Sequence, residues 1–111
     1  MRTAKRLTRM EEMIMLAVLT LKDDAYLVAV TDFLKDVTEA RVLLTSVHLP
    51  LSRLEKEGFL SSELGEATAV RGGRRKKIYR ITKAGFAALE AHKKITKTLW
   101  AAYPEYSKPN G

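Results

Sequence analysis

The chain has 111 residues, 46% of them hydrophobic, enough for one domain with a buried core. It has no cysteine, so a disulfide framework, a thiolate metal site and a cysteine nucleophile are excluded. The net charge of +7 is segregated: residues 1–10 carry +4, residues 11–66 carry −6 and residues 67–111 carry +9. A surface built only for solubility mixes its signs. A basic arm and a basic second half around an acidic middle point to a polyanion touched at two places.

No apolar run approaches the length that spans a bilayer, and no membrane association is expected. The most apolar stretch, residues 13–21, is bracketed by Glu11, Glu12 and Lys22. The first seven residues are basic but lack the cleavage site of a signal peptide. A cytoplasmic protein is expected.

Thr8 followed by Glu11 reads as a capping box, because each side chain satisfies the other's backbone amide. A helix is predicted over residues 9–21. It is apolar on nearly all sides, with Met13, Ile14, Met15, Leu16, Ala17, Val18, Leu19 and Leu21. A helix without a polar face is buried all round. In a chain this small, one face is expected to meet the core and the other a partner subunit. Ile14 and Val18 are assigned to the subunit interface.

A second helix is predicted over residues 25–35, with Tyr26, Val30, Phe33 and Leu34 inward. A third is predicted over residues 44–57. Val47, Leu51 and Leu54 form its buried stripe. Thr45, Ser46, His48, Leu49, Ser52 and Arg53 lie opposite, and Gly58 occupies the usual place after a helix end. Pro50 interrupts this helix. Either the helix kinks there, or it starts late, near Ser46, where early amides lack partners anyway.

Residues 59–64 and 77–81 read as two strands joined by a long hairpin loop. That loop carries Arg71, Gly72, Gly73, Arg74, Arg75, Lys76 and Lys77. Two glycines suit a turn tip. Five cations packed around them repel one another unless a polyanion lies alongside, and a nucleic-acid backbone is the simplest polyanion. Taken alone, such a run reads first as a solvated surface loop; its place downstream of the third helix is what favours the polyanion. Thr82 then caps a last helix, predicted over residues 83–103 and ended by Pro104, before a short frayed tail.

Helix–helix–helix–strand–loop–strand–helix is the order of a winged helix-turn-helix domain. The fold class is therefore α+β, mainly α. Residues 1–82 are expected to form the winged domain with its basic arm, residues 83–104 a C-terminal dimerisation helix, and residues 105–111 a flexible tail. In this arrangement the third helix enters the major groove of double-stranded DNA while the wing lies along phosphates.

Specific residues carry a family resemblance. They include Leu7 and Thr8 before Glu12, then Ala25 and Tyr26, then the run Leu51, Ser52, Arg53, Leu54, Glu55, Lys56, Glu57, Gly58. Further on come Gly65, the Arg71-Gly72-Gly73-Arg74 turn and Tyr79 through Gly85. Over residues 7–90 the chain resembles the PadR family of bacterial transcriptional regulators. The resemblance implies a homodimeric winged-helix repressor, released from DNA by a small hydrophobic effector. Two positions depart from the family pattern. His48 stands where the family usually has a tyrosine on the recognition helix, and Leu49-Pro50 where it usually has hydroxyl residues. The operator sequence therefore does not carry over from relatives.

Between Arg53 and Glu57 the third helix has two bases and two acids, so the wing is expected to supply most of the attraction. His48 can donate to a base edge or a phosphate, and Leu49 can touch a thymine methyl; an exposed histidine without a role is the alternative. Arg53 either contacts DNA or pairs with Glu57 one turn on. On the last helix, Ala88, His92, Ile95, Leu99 and Ala102 follow the steps of a two-helix seam, flanked by Leu89 and Trp100. Leu89, His92, Ile95, Leu99 and Trp100 are assigned to the dimer interface. Trp100 is either an anchor there or the aromatic that stacks an effector. With two histidines and no cysteine, no metal site is expected. No nucleophile–base set or phosphate-cradling loop is present, so neither catalysis nor a cofactor is expected. The alternative function is a winged-helix module that binds another protein.

Overall fold

The structure is a computed structural model. It describes residues 6–65 and 75–107. Five helices and one hairpin follow in order: α1 (Arg9–Leu21), α2 (Leu27–Thr38), α3 (Leu44–Lys56), β1 (Leu60–Leu64), β2 (Lys77–Ile81), α4 (Lys83–Ala101) and a short α5 (Pro104–Ser107). The two strands form one antiparallel sheet, with Leu60 opposite Ile81 and Leu64 opposite Lys77. This is the predicted winged helix-turn-helix order.

The capping box at the start of α1 is present. The Glu11 amide donates to Thr8 Oγ1 at 3.0 Å, and the Thr8 amide donates to Glu11 Oε1 at 2.9 Å. The face of α1 that turns inward differs from the expectation. Ile14 and Val18 are 0% and 2% exposed within the single chain, so they have no surface left for a partner. Leu16 and Leu19 are the residues that remain exposed. A helix that is apolar all round has no polar stripe to mark its outer side, so periodicity did not distinguish the two faces.

A 3₁₀ turn (Lys22–Asp24) separates α1 from α2. Helix α2 begins two residues later than predicted because Ala25 is held otherwise: its carbonyl accepts the Tyr79 amide at 2.8 Å. Ala25 thus lines the edge of β2 and joins the start of α2 to the hairpin. The helix continues to Thr38 and stops at Glu39, which adopts a left-handed conformation with φ 53°.

Helix α3 starts at Leu44 and runs through Pro50; the late-start alternative is not what the chain does. Proline leaves the Ser46 carbonyl without its usual helical donor. Val47, Leu51 and Leu54 are fully buried, as the stripe predicts. Gly58, at φ 85°, ends the helix. Its amide donates to the Glu55 carbonyl at 3.0 Å, and the Phe59 amide donates to the Leu54 carbonyl at 2.9 Å. This is the Schellman pattern, which needs a left-handed residue at that point.

Thr82 joins three elements. Its hydroxyl donates to the Gly58 carbonyl at 2.6 Å and accepts the Gly85 amide at 3.0 Å, so it caps α4. Gly85 sits where no side chain fits: an added Cβ would lie 2.1 Å from the Phe59 carbonyl oxygen. Beyond Leu89 and His92, α4 leaves the core. Ile95, Leu99 and Trp100 are 55%, 67% and 53% exposed. The Cα radius of gyration is 16.5 Å, against about 13 Å for a compact domain of this length, as expected of a projecting helix. Pro104 does more than end α4. It opens α5, where its fixed φ suits a first helical position, so residues 104–107 form a helical turn.

Gly85→Ala tests the junction between the hairpin and α4. The methyl group meets a backbone carbonyl rather than a flexible side chain, so we expect a loss of about 1–3 kcal/mol in urea unfolding. A midpoint within experimental error of the parent would show that α4 shifts at no cost.

Candidate nucleic-acid interface

The buried stripe of α3 fixes what its other side shows. Thr45, Ser46, His48, Leu49 and Arg53 are exposed, and Ser52 is half-buried beside them. Leu49 is 62% exposed. All six predicted recognition-helix residues therefore lie on the outer side of α3. The Arg53 guanidinium stands 4.0 Å from the Glu11 carboxylate, which is 1% exposed. Arg53 thus faces a buried acid on α1, a partner that helix spacing alone did not suggest.

The hairpin rises beside this surface. At its base the Gly65 amide donates to the Lys76 carbonyl at 2.6 Å, extending the strand pairing by one step. Arg75 Nε donates to the Gly65 carbonyl at 2.8 Å. Lys76 Nζ lies 4.0 Å from the centre of the Tyr26 ring, within cation–π range. Lys77 Nζ lies 3.0 Å from Glu55 Oε1. Arg71, Gly72, Gly73 and Arg74 lie outside the described residues, as do Arg2 and Lys5 of the basic arm.

Between α3, the start of α2 and β2 lies an open concavity of about 460 Å³ lined by Tyr26, Leu27, His48, Lys76, Lys77 and Tyr79. It brings His48 together with two of the wing cations. Tyr26 was read as a core position, yet its ring forms part of this outer wall and carries Lys76. The Tyr79 ring is 3% exposed, and burial raises its hydroxyl above the ordinary tyrosine value, against the opposing effect of Lys77.

Carboxylates quench part of the hairpin's charge. Arg80 meets Asp23 at 2.9 Å and Glu63 at 3.3 Å. These contacts raise the guanidinium above its ordinary value, Asp23 contributing most. Arg75 and Lys76 have no carboxylate partner among the described residues. The uncompensated charge is thus at the wing end of the strands.

A second surface lies on the far side. His92 Nε2 is 3.4 Å from Glu12 Oε1, tying α4 to α1 within the chain. Beside this contact a groove of about 450 Å³ is lined by Glu12, Leu16, Leu19, Phe86, Leu89 and Lys93. Of the residues assigned to the dimer interface, Ile95, Leu99 and Trp100 are exposed and His92 is half-buried, whereas Leu89 belongs mainly to the core at 7% exposure. Leu16, Leu19 and Phe86 were not singled out, though all three expose apolar surface here. A leucine on an all-apolar helix carries no sign of its direction. Phe86 lies two residues before Ala88, the first position of the seam read on α4, and so falls outside that stripe. No described helix is long and apolar enough to cross a membrane.

Comparison with known proteins agrees with this geometry. A transcriptional regulator from Clostridium thermocellum, Cth-833, has a similar fold, with a TM-score of 0.67 at 22% identity over 89% of this chain and 90% of that one. The crystal structure of smu.1704 from Streptococcus mutans UA159 superimposes with a TM-score of 0.63 at 22% identity, covering 89% of this chain and 88% of that one. No curated protein matches the chain. The model of the transcriptional regulator PadR-like family matches residues 15–91, more than half of the sequence, from the second half of α1 to the middle of α4. The chain belongs to the PadR-like family of transcriptional regulators.

Proposed function

We propose that this regulator is a homodimeric, cytoplasmic repressor of transcription that reads double-stranded DNA with α3, holds phosphates with its wing, and leaves DNA when a small hydrophobic effector binds. The observation that carries the DNA-binding part is the outer side of α3 standing next to a hairpin whose wing-end cations, Arg75 and Lys76, have no acidic partner among the described residues. Residues 1–82 act as the reading unit, residues 83–104 as the assembly element, and residues 105–111 as a tail. The protein acts by binding, without catalysis.

In this reading Thr45, Ser46, His48, Leu49, Ser52 and Arg53 face base edges, and the wing run that begins at Arg71 lies along the backbone through Arg74, Arg75 and Lys76. Base contacts specify and phosphate contacts position. The two roles separate in one experiment. Arg74→Ala with Arg75→Ala should weaken binding to every duplex alike and make the log–log salt slope shallower by about 1–2 per protomer, at ~0.9 per phosphate. His48→Ala should instead lower discrimination between preferred and random duplex more than it lowers nonspecific affinity. An unchanged slope rejects the wing assignment. Equal losses on both duplexes reject His48 as a base reader. A protein-interaction module would show no salt-dependent duplex binding at all.

The dimer reading rests on the far half of α4, where Ile95, Leu99 and Trp100 are more than half exposed, and on the apolar groove beside Leu16 and Leu19. Covering these residues with a second copy would stabilise the pair at about 25 cal/mol per Å² of apolar surface. A two-fold operator requires two copies of α3 about 34 Å apart, which only an assembly provides. Leu99→Asp puts a charge on that seam. Sedimentation should show monomer, with duplex affinity lost. An intact dimer with parental affinity would show that the subunits meet elsewhere.

Trp100 anchors the interface first, and it is also the residue that would stack an effector between the two subunits. Planar hydrophobic compounds should quench its fluorescence and lower duplex affinity together. If a broad panel quenches nothing, Trp100 anchors the interface only.

A further inference from the structure

The contacts of Lys77 set it apart from the other wing cations. Its ammonium lies 3.0 Å from Glu55 Oε1, and the second oxygen of that carboxylate accepts the Ser62 hydroxyl at 2.5 Å. Glu55 belongs to α3, Ser62 to β1 and Lys77 to β2, so one carboxylate joins the recognition helix to both strands of the wing. Charge-assisted contacts of this length are the strong ones. The Ser62 hydroxyl, followed by Lys77, holds the Glu55 carboxyl below its ordinary value. Glu55 in turn raises the Lys77 ammonium above its own.

We propose that Glu55 and Lys77 are a positioning pair that sets the wing's angle to the recognition helix, so that Lys77, although in the basic wing run, contacts no phosphate. This rests on the DNA-binding reading. The physical reason is the charge left behind. If Lys77 swung out to a phosphate, Glu55 would face the approaching backbone with only a neutral hydroxyl on it, and like charges would repel. Keeping the pair closed avoids this. Arg75 differs, because its partner is a backbone carbonyl and that bond leaves the guanidinium charge unneutralised.

The test compares the full-length parent with Lys77→Met, Glu55→Gln, the double variant, and Arg75→Ala as the reference for a phosphate contact. Gln keeps an acceptor for Ser62 and removes only the charge. Each is titrated at several salt concentrations against a mixed-sequence duplex and against the duplex the parent enriches from a randomised pool. Thermal melting establishes that each variant is folded at the assay temperature. Lys77→Met should leave the salt slope unchanged, where Arg75→Ala loses about 0.9 per protomer. Lys77→Met and Glu55→Gln should each lower discrimination about tenfold, and the double variant should be no worse than either, because the two residues act as one unit. A slope loss in Lys77→Met equal to that of Arg75→Ala would make Lys77 a phosphate contact and overturn the proposal. So would unchanged discrimination, or additive losses in the double variant. A parent with no salt-dependent duplex binding would overturn the DNA-binding reading itself. The pair can still be checked in that case by carboxyl NMR, where the Glu55 titration should move up in Lys77→Met and not in Arg75→Ala. A Glu55 titration that Lys77→Met leaves in place would show that the pair does not form in solution.

Discussion

A core this small covers one side of each helix. Its buried apolar residues run from Leu7 to Leu89, and every element from α1 to the start of α4 contributes. Val47, Leu51 and Leu54 take the inner side of α3 completely. That burial holds the recognition helix in place and leaves its other side to the solvent. The same limit leaves Leu16 and Leu19 of α1 exposed, along with Ile95, Leu99 and Trp100 in the far half of α4. The exposed outer side of α3 and the exposed apolar surface of α1 and α4 thus have one origin: fewer than 90 residues supply the core, and burying both sides of a helix needs more chain than that.

The junction at Thr82 keeps the parts in register. Its hydroxyl reaches the residue that ends α3 and the residue that starts α4. Gly85 lets α4 approach the Phe59 carbonyl more closely than any other residue could. The Tyr79 amide meets the Ala25 carbonyl on the opposite edge of β2. The hairpin is therefore fastened to α2, α3 and α4 at once, though it has only two strands. An isolated two-stranded hairpin is marginal in water, so these fastenings are what hold β1 and β2 in place.

Where sequence and structure agree, a local rule sufficed. The capping box at Thr8, the stripe of α3, the Schellman glycine at Gly58 and the two strands each depend on residues within a few positions of one another. Where they differ, the deciding contact is distant in sequence. Ala25 leaves α2 because of Tyr79, more than fifty residues on. Ile14 and Val18 turn inward because α1 presents no polar stripe, and only the packed partners choose between its faces. Arg53 finds Glu11, forty residues before it, a pairing that no helix spacing expresses. The basic run 71–77 reads as one uniform cluster in the sequence, yet its described members have three different partners: a carbonyl, an aromatic ring and a carboxylate.

Those three partners determine how the wing's charge is distributed. Lys77 and Arg80 are neutralised by acids on α3, on β1 and in the turn before α2, so the root of the hairpin carries little net field. Lys76 and Arg75, further along, keep theirs. A cation resting on an aromatic ring remains a cation, and is attracted by the ring without being neutralised. Among the described residues the uncompensated charge therefore lies at Arg75 and Lys76, away from the root. On the DNA-binding reading we propose, a polyanion drawn to these two cations meets them first and the helix surface second. This order suits a protein in which attraction and sequence reading reside on different elements, because the sequence-independent contact can form before α3 tests any base. On the same reading the acids near the root have a role other than solubility: they keep the charge away from α3, where indiscriminate attraction would hold wrong sequences as firmly as right ones.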